Sequence, residues 1–279
     1  MNDIALIDNA FDNMLAAVNS GDRAEMMRVT GQSDGDKPKQ GLSRLNINYD
    51  DETDDGRTLK KGTWRLFYEG EFVYAEDVTF RPLVRTFEWS VWDAEEGKFT
   101  SRSVQAPTLN NSFPDTSGGF KCGRLTKSEE ESLGDKHPLT LASRSAVCNN
   151  VFYAMVSLKG KNANGDDITI ENYPVVSYFK KSGFRPAREA IEMITEKGQL
   201  MNEVVFTLST KKMKQGSLVY FVPVFTSTAT QPLDDHSKEI FKMFLETVKA
   251  SNANILEQHR EAVKARETDE EVDLAADFG

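Results

Sequence analysis

The stretch from Val151 to Phe225 constrains the fold more than any other, because it alternates strand, helix and strand between clear boundaries. Val151 to Leu158 is an almost unbroken apolar run closed by Lys159-Gly160. It turns through Asn162-Ala163-Asn164-Gly165-Asp166, residue types that tolerate positive φ. Strand character resumes at Ile168 to Ile170 and at Val175 to Phe179. A short helix is then predicted, with Pro186 near its first turn, Ala187, Ile191 and Ile194 at helical spacing and Gly198 just past it. Val204 to Leu208 and Leu218 to Phe225 are predicted as two further strands, joined by the linker Ser209 to Gly216.

Strands, one helix and a final hairpin are the element order of an OB-type barrel, a five-stranded fold that often binds oligonucleotides. The expected class is therefore mainly β with flanking helices (α+β). The OB-type β domain spans 40–230 with an insertion at 105–144. An N-terminal helical segment is expected at 1–30, C-terminal helices at 231–266 and a disordered acidic tail at 267–279. From Val176 to Lys214 the bases, Lys180, Lys181, Arg185, Arg188, Lys197, Lys211, Lys212 and Lys214, gather at strand ends, while acids gather on the helix.

A formal net charge of −10 over 279 residues argues against broad adhesion to nucleic acid or anionic membrane, so any polyanion site must be local. An apolar content of 39% supports a real core. No apolar run approaches the length of a membrane span and the amino terminus lacks a signal-peptide layout, so a cytoplasmic location is expected, the host cytoplasm if the chain is phage-encoded. Two cysteines, Cys122 and Cys148, fit a reducing compartment. With His137 they offer three zinc ligands where structural zinc takes four, so two isolated free thiols are expected instead.

Ile4, Leu6, Ile7, Ala10, Phe11, Met14, Leu15 and Val18 recur at helical spacing, followed by a polar linker from Gly31 to Lys39. The acidic stretch Asp50 to Gly56 does not match the EF-hand pattern and is expected to be a solvated loop. From Gly62 to Val104 aromatic residues are dense, a β-meander with turns at Glu69-Gly70 and Ala94 to Gly97. Alternation places Trp64, Leu66 and Tyr68 on one face and Arg65 and Phe67 on the other. Rings on both faces, with Lys60, Lys61, Arg65, Arg81 and Arg85 among them, match the composition of a groove where bases stack and phosphates meet cations.

Residues 105–144 read as a long insertion; Walker-A and Gly-x-Gly-x-x-Gly patterns are absent, and no cofactor is implied. The sequence holds no Gly-x-Ser-x-Gly or His-Glu-x-x-His motif, and its three histidines lie in unrelated contexts, so an enzyme is not expected. Asp234-Asp235 would cap a helix bearing Ile240, Phe241, Met243, Phe244 and Val248. From Glu267 onward six acids and no base account for six of the ten net negative charges.

The strand-helix-strand order, the basic hairpin Lys211-Lys212-Met213-Lys214 and the acidic tail ending in Asp277-Phe278-Gly279 together resemble the single-stranded DNA-binding proteins of tailed bacteriophages. That resemblance implies an OB fold holding the strand and a tail recruiting replication or recombination proteins, here through Asp273, Asp277 and Phe278. In this chain Gly279 follows the aromatic residue, where family members usually end on it. The expected DNA contacts are Lys180, Lys181, Lys211, Lys212, Lys214, Arg65 and Arg85 for phosphates. Trp64, Tyr68, Tyr74, Tyr178 and Phe184 are expected to stack on bases. A homo-oligomer is left open. A virion structural or adaptor protein is the alternative, and a metal-dependent nuclease has no positive support in the sequence.

Overall fold

Hydrogen bonding closes five strands into a ring: β1 (Ser43–Ile47), β2 (Trp64–Tyr68), β3 (Glu71–Ala75), β6 (Val147–Asn162) and β7 (Asp167–Lys180). The pairings run β1–β2, β2–β3, β3–β6 and β6–β7, all antiparallel, and β7 returns to β1 in parallel. An odd ring whose other neighbours run antiparallel must contain one parallel pair, and the β1–β7 contact supplies it. The computed structural model describes residues 41–53 and 56–277, with side chains to Thr268. The chain divides into Met1–Leu42 and a unit from Ser43 onward, and the ring with all its extensions belongs to the second. The expected N-terminal helix and its linker lie outside the described residues.

Among the described residues the protein is mainly β, with four helices. Four more strands extend the ring into one nine-stranded sheet: β4 (Val78–Asp93), β5 (Lys98–Arg102), β8 (Val204–Gln215) and β9 (Leu218–Thr230). β6 is the spine, pairing with β4 along Val147 to Leu158 and with β3 at Lys161 and Asn162. Both its faces are covered, with Phe152, Ala154 and Val156 in the main core and Val151, Tyr153 and Met155 buried opposite. That double burial is why its sequence runs apolar without alternation. Where β3 meets β6, a Cβ on Gly160 would strike the Tyr74 carbonyl, so glycine permits the contact that completes the ring.

Inside, Phe80, Phe152, Phe179, Phe206 and Phe225 meet edge to face with centroids 5.3 to 6.4 Å apart. Fully burying a ring of this kind contributes roughly 1.5–3 kcal/mol. Helix α3 (Phe184–Glu196) adds Ala187, Ala190, Ile191 and Ile194 to the same core. The preceding helices, α1 (Lys127–Leu133) and α2 (Pro138–Ser145), lie between β5 and β6. In this insertion Thr126 and Glu129 form a reciprocal capping box on α1, and His137 caps α2.

Three features depart from the sequence expectation. The β8–β9 hairpin does not join the five-stranded closure; β8 pairs with β4 at Val78 to Phe80, outside the ring. Ser209 to Gln215, expected as a linker, is strand, because Leu218 to Phe225 offers it an apolar partner and the turn is only Gly216-Ser217. The C-terminal region is one helix, α4 (Asp235–Asp277), rather than two helices and an unstructured tail. Asp234 caps it by accepting from the Ser237 amide at 2.7 Å, as the sequence suggested.

α4 is fixed across the sheet at several points. The buried Arg81 guanidinium donates to the carbonyls of Asn202, Gln231 and Pro232 and to Ser237 Oγ, 2.8 to 3.1 Å away. Phe244 is buried beside Tyr153, and the Asn252 carboxamide brackets the Gln105 backbone, donating at 2.8 Å and accepting at 2.7 Å.

Candidate nucleic-acid interface

The β8–β9 hairpin crosses the open end of the ring and makes a furrow there. Its closest approach is at Gly62, where a Cβ would overlap the Phe221 ring and where φ is +81°. The Thr210 hydroxyl donates to the Gly62 carbonyl alongside. Opposite, Asn48 is fully buried and anchors the loop after β1: its amide nitrogen donates to the carbonyls of Asp50 (2.9 Å) and Lys60 (3.1 Å). The loop so held projects Tyr49, 49% exposed, against the edge of Phe221 with centroids 6.0 Å apart.

Two clefts meet at these rings. One, about 180 Å³, is lined by Asn46, Tyr49, Tyr178, Lys180, Phe221 and Pro223 among others. The second, about 530 Å³, is lined by Tyr49, Lys60, Lys61, Lys212, Val219 and Phe221. Tyr49 and Phe221 belong to both, so the furrow is continuous from Lys180 to Lys212. Among the described residues Arg44, Lys180, Lys181, Lys212 and Lys214 have no carboxylate partner, which leaves their charge available to an anion. Desolvation and the neighbouring Lys181 and Arg44 cations lower the Lys180 pKa, and the Glu88 carboxylate opposes the fall.

The pleat sorts the basic residues of β8. Lys212 is the cross-strand partner of Phe221 and Lys214 of Val219, so both share the furrow's face with Thr210; Lys211 points to the other face. Lys180 lines the smaller cleft and Lys212 the second, while cross-strand placement puts Lys214 on the face of Lys212 and separates Lys211 from both.

Of the expected contacts, Trp64 and Tyr178 line the smaller cleft, while Arg65, Tyr68, Tyr74, Arg85 and Phe184 are placed elsewhere. Trp64 is 1% exposed, edge-on to Phe179 in the core, and offers no free ring face to a base. Arg65 is spent on Asp50, 2.5 Å away, and lies over Phe72 on the outer face of β2. Arg85 runs beneath α3, donating to Asn150 Oδ1 at 2.8 Å between Phe87 and Phe152, and burial pushes its pKa down to about 10. Phe184 packs on Phe87, and Tyr68 packs edge-on to Tyr173. Tyr178 already carries the Arg44 guanidinium over its ring at 5.0 Å. Tyr74 lines a larger cavity, about 590 Å³, with Lys60, Lys159 and Lys161. Asp273 and Asp277 fall on the helical backbone of α4, but their side chains, and Phe278 entirely, lie outside the described residues.

Sequence reasoning missed Arg44, Tyr49 and Phe221. Tyr49 carried a signal, an aromatic residue leading directly into an acidic loop; Phe221 looked like an ordinary strand residue until the hairpin's position was known.

Beside the furrow, Glu88 is fully buried and accepts from Arg102 (3.0 Å), Gln105 (3.2 Å) and Asn149 (3.4 Å). Desolvation raises its pKa, and Arg102 opposes the rise. The Cys122 and Cys148 thiols are free and pushed up to about 12, chiefly by burial. No group of three metal-ligating side chains occurs among the described residues. No helix among them is long and apolar enough to cross a membrane. No protein-family model, curated protein or solved structure matches this chain.

Proposed function

We propose that this protein binds single-stranded DNA with little sequence preference and serves phage-type replication or recombination. The observation that carries this reading is the furrow, where Lys180 and Lys212 flank the rings of Tyr49 and Phe221 and form no ion pair among the described residues. Bases gain from stacking on rings of any identity, and phosphates gain from the cations, so such a furrow tolerates any sequence. An OB-type interpretation of the domain rests on the five strand pairings that return on themselves. Asp50 and Asp51 neutralise Arg65 and Lys61 at the furrow's edge, keeping the basic surface small on an acidic chain. The acidic end would compete with DNA for these cations and recruit partner proteins once displaced.

Fluorescence anisotropy with labelled oligo-dT over a salt series tests the proposal. If five cations each meet a phosphate, the log-log salt slope is about 3.5. Lys180→Glu and Lys212→Glu should each weaken binding strongly. Absence of oligo-dT binding would overturn the reading and favour a virion adaptor, as would binding indifferent to both charge reversals.

A further inference from the structure

We infer that the binding surface continues past the furrow onto the β4–β5 hairpin, where Trp92 stacks on a base of the same single strand. This rests on the proposed function and extends its site.

Trp92 is 52% exposed, whereas Trp64 is 1% exposed and Trp89 is half-buried. An exposed indole on a hairpin loses the burial that normally retains one, and this indole is held in place: Phe99, its cross-strand partner, meets it edge-on with centroids 4.8 Å apart. The β4–β5 register shifts between Val91 and Trp92, and such irregularities re-aim a side chain relative to the regular pleat.

From Trp92 a file of alternating rings and cations leads back to the furrow. The Arg102 guanidinium lies 5.1 Å over Phe99 and is anchored by Glu88. Tyr178 stands near Arg102 and bears Arg44 on its ring. Arg44 adjoins Lys180, which lines the furrow. Arg102 is ion-paired to Glu88, whereas Arg44, though within reach of the same carboxylate's field, forms no ion pair among the described residues, so it is the cation of the file open to phosphate, and Trp92 is its exposed ring. At the tip, Asp93, Glu95 and Glu96 are exposed or half-exposed acids, and among the described residues only Glu96 is paired with a base, Lys98; they repel phosphates and end the track at Trp92. A strand therefore lays phosphate at Arg44 and a base at Trp92.

Intrinsic tryptophan fluorescence of the full chain, titrated with short and long oligo-dT, tests this alongside anisotropy. Long oligo-dT should quench the emission, and Trp92→Phe should abolish the quench while leaving the near-ultraviolet circular dichroism of the buried rings in place. Trp92→Ala should weaken long-oligonucleotide binding roughly tenfold and short-oligonucleotide binding much less. A quench that survives in Trp92→Phe, or long-oligonucleotide affinity unmoved in Trp92→Ala while Lys212→Glu abolishes binding, overturns the extension and leaves the furrow standing. No anisotropy change with wild-type protein at any length overturns both.

Discussion

The phenol of Tyr49 donates to the backbone carbonyl of Phe221 at 3.0 Å, joining the loop after β1 to a strand 172 residues later. This bond holds the two rings edge to face at the junction of the two clefts. Tyr49→Phe removes the hydroxyl alone and should cost about 0.5–1.5 kcal/mol of stability, read by chemical denaturation. Tyr49→Ala removes the stacking ring as well, and its oligo-dT affinity should fall by about 1–3 kcal/mol, read by anisotropy.

Lys211 and Lys212 are neighbours in sequence on opposite faces of β8. Lys212→Ala should lower both affinity and the salt slope, the latter by about 0.7. Lys211→Ala should leave the slope unchanged. Equal effects would mean that the furrow does not carry the phosphates.

Gly62→Ala places a methyl group against Phe221 at a positive φ that L side chains rarely adopt. Both effects oppose the native hairpin position, and a loss of about 1–3 kcal/mol is expected by thermal unfolding. Phe221→Leu in the same chain should recover only the steric part, since the backbone cost remains.

Arg81 satisfies three carbonyls and a hydroxyl that no solvent reaches easily. Burial lowers its pKa while Asp234 and Glu203 raise it. Arg81→Met keeps the apolar stem and strands those acceptors, with an expected loss on the order of 3 kcal/mol. Hydrogen exchange should show the first turns of α4 opening before the rest of the sheet.

Burial raises the Glu88 pKa above the ordinary glutamate value of 4.5. The folded state then holds its proton more tightly than the unfolded state. The stability this group contributes is fully present below about 4.5 and is lost as pH rises through its higher folded value. Glu88→Gln should flatten that fall, measured as unfolding free energy across the acidic to neutral range. A slope unchanged from wild type would show that Arg102 holds the carboxylate ionised throughout.

Periodicity made the strands and α3 legible. Trp64 and Leu66 alternate with Arg65 and Phe67 as a half-buried strand should, and Ala187, Ile191 and Ile194 mark the buried stripe of a helix. The turns at Glu69-Gly70 and near Gly97 were equally plain, since those positions take positive φ. The basic residues at the end of β7 and along β8 stood out by charge alone. Which of them share a surface did not, because period-2 alternation gives two faces without saying what covers either. Glu88, a charged residue that local pattern does not mark as core, is fully buried and satisfied by Arg102, Gln105 and Asn149.

The sequence by itself determined most of the strands, α3 and their buried stripes, because hydrophobic spacing and turn chemistry act over a few residues. Tertiary structure alone decided that the hairpin would leave the ring, cross its mouth and set Phe221 on Gly62 beside Tyr49. Those contacts span more than a hundred residues, where burial and close packing select the partner and local preference is silent.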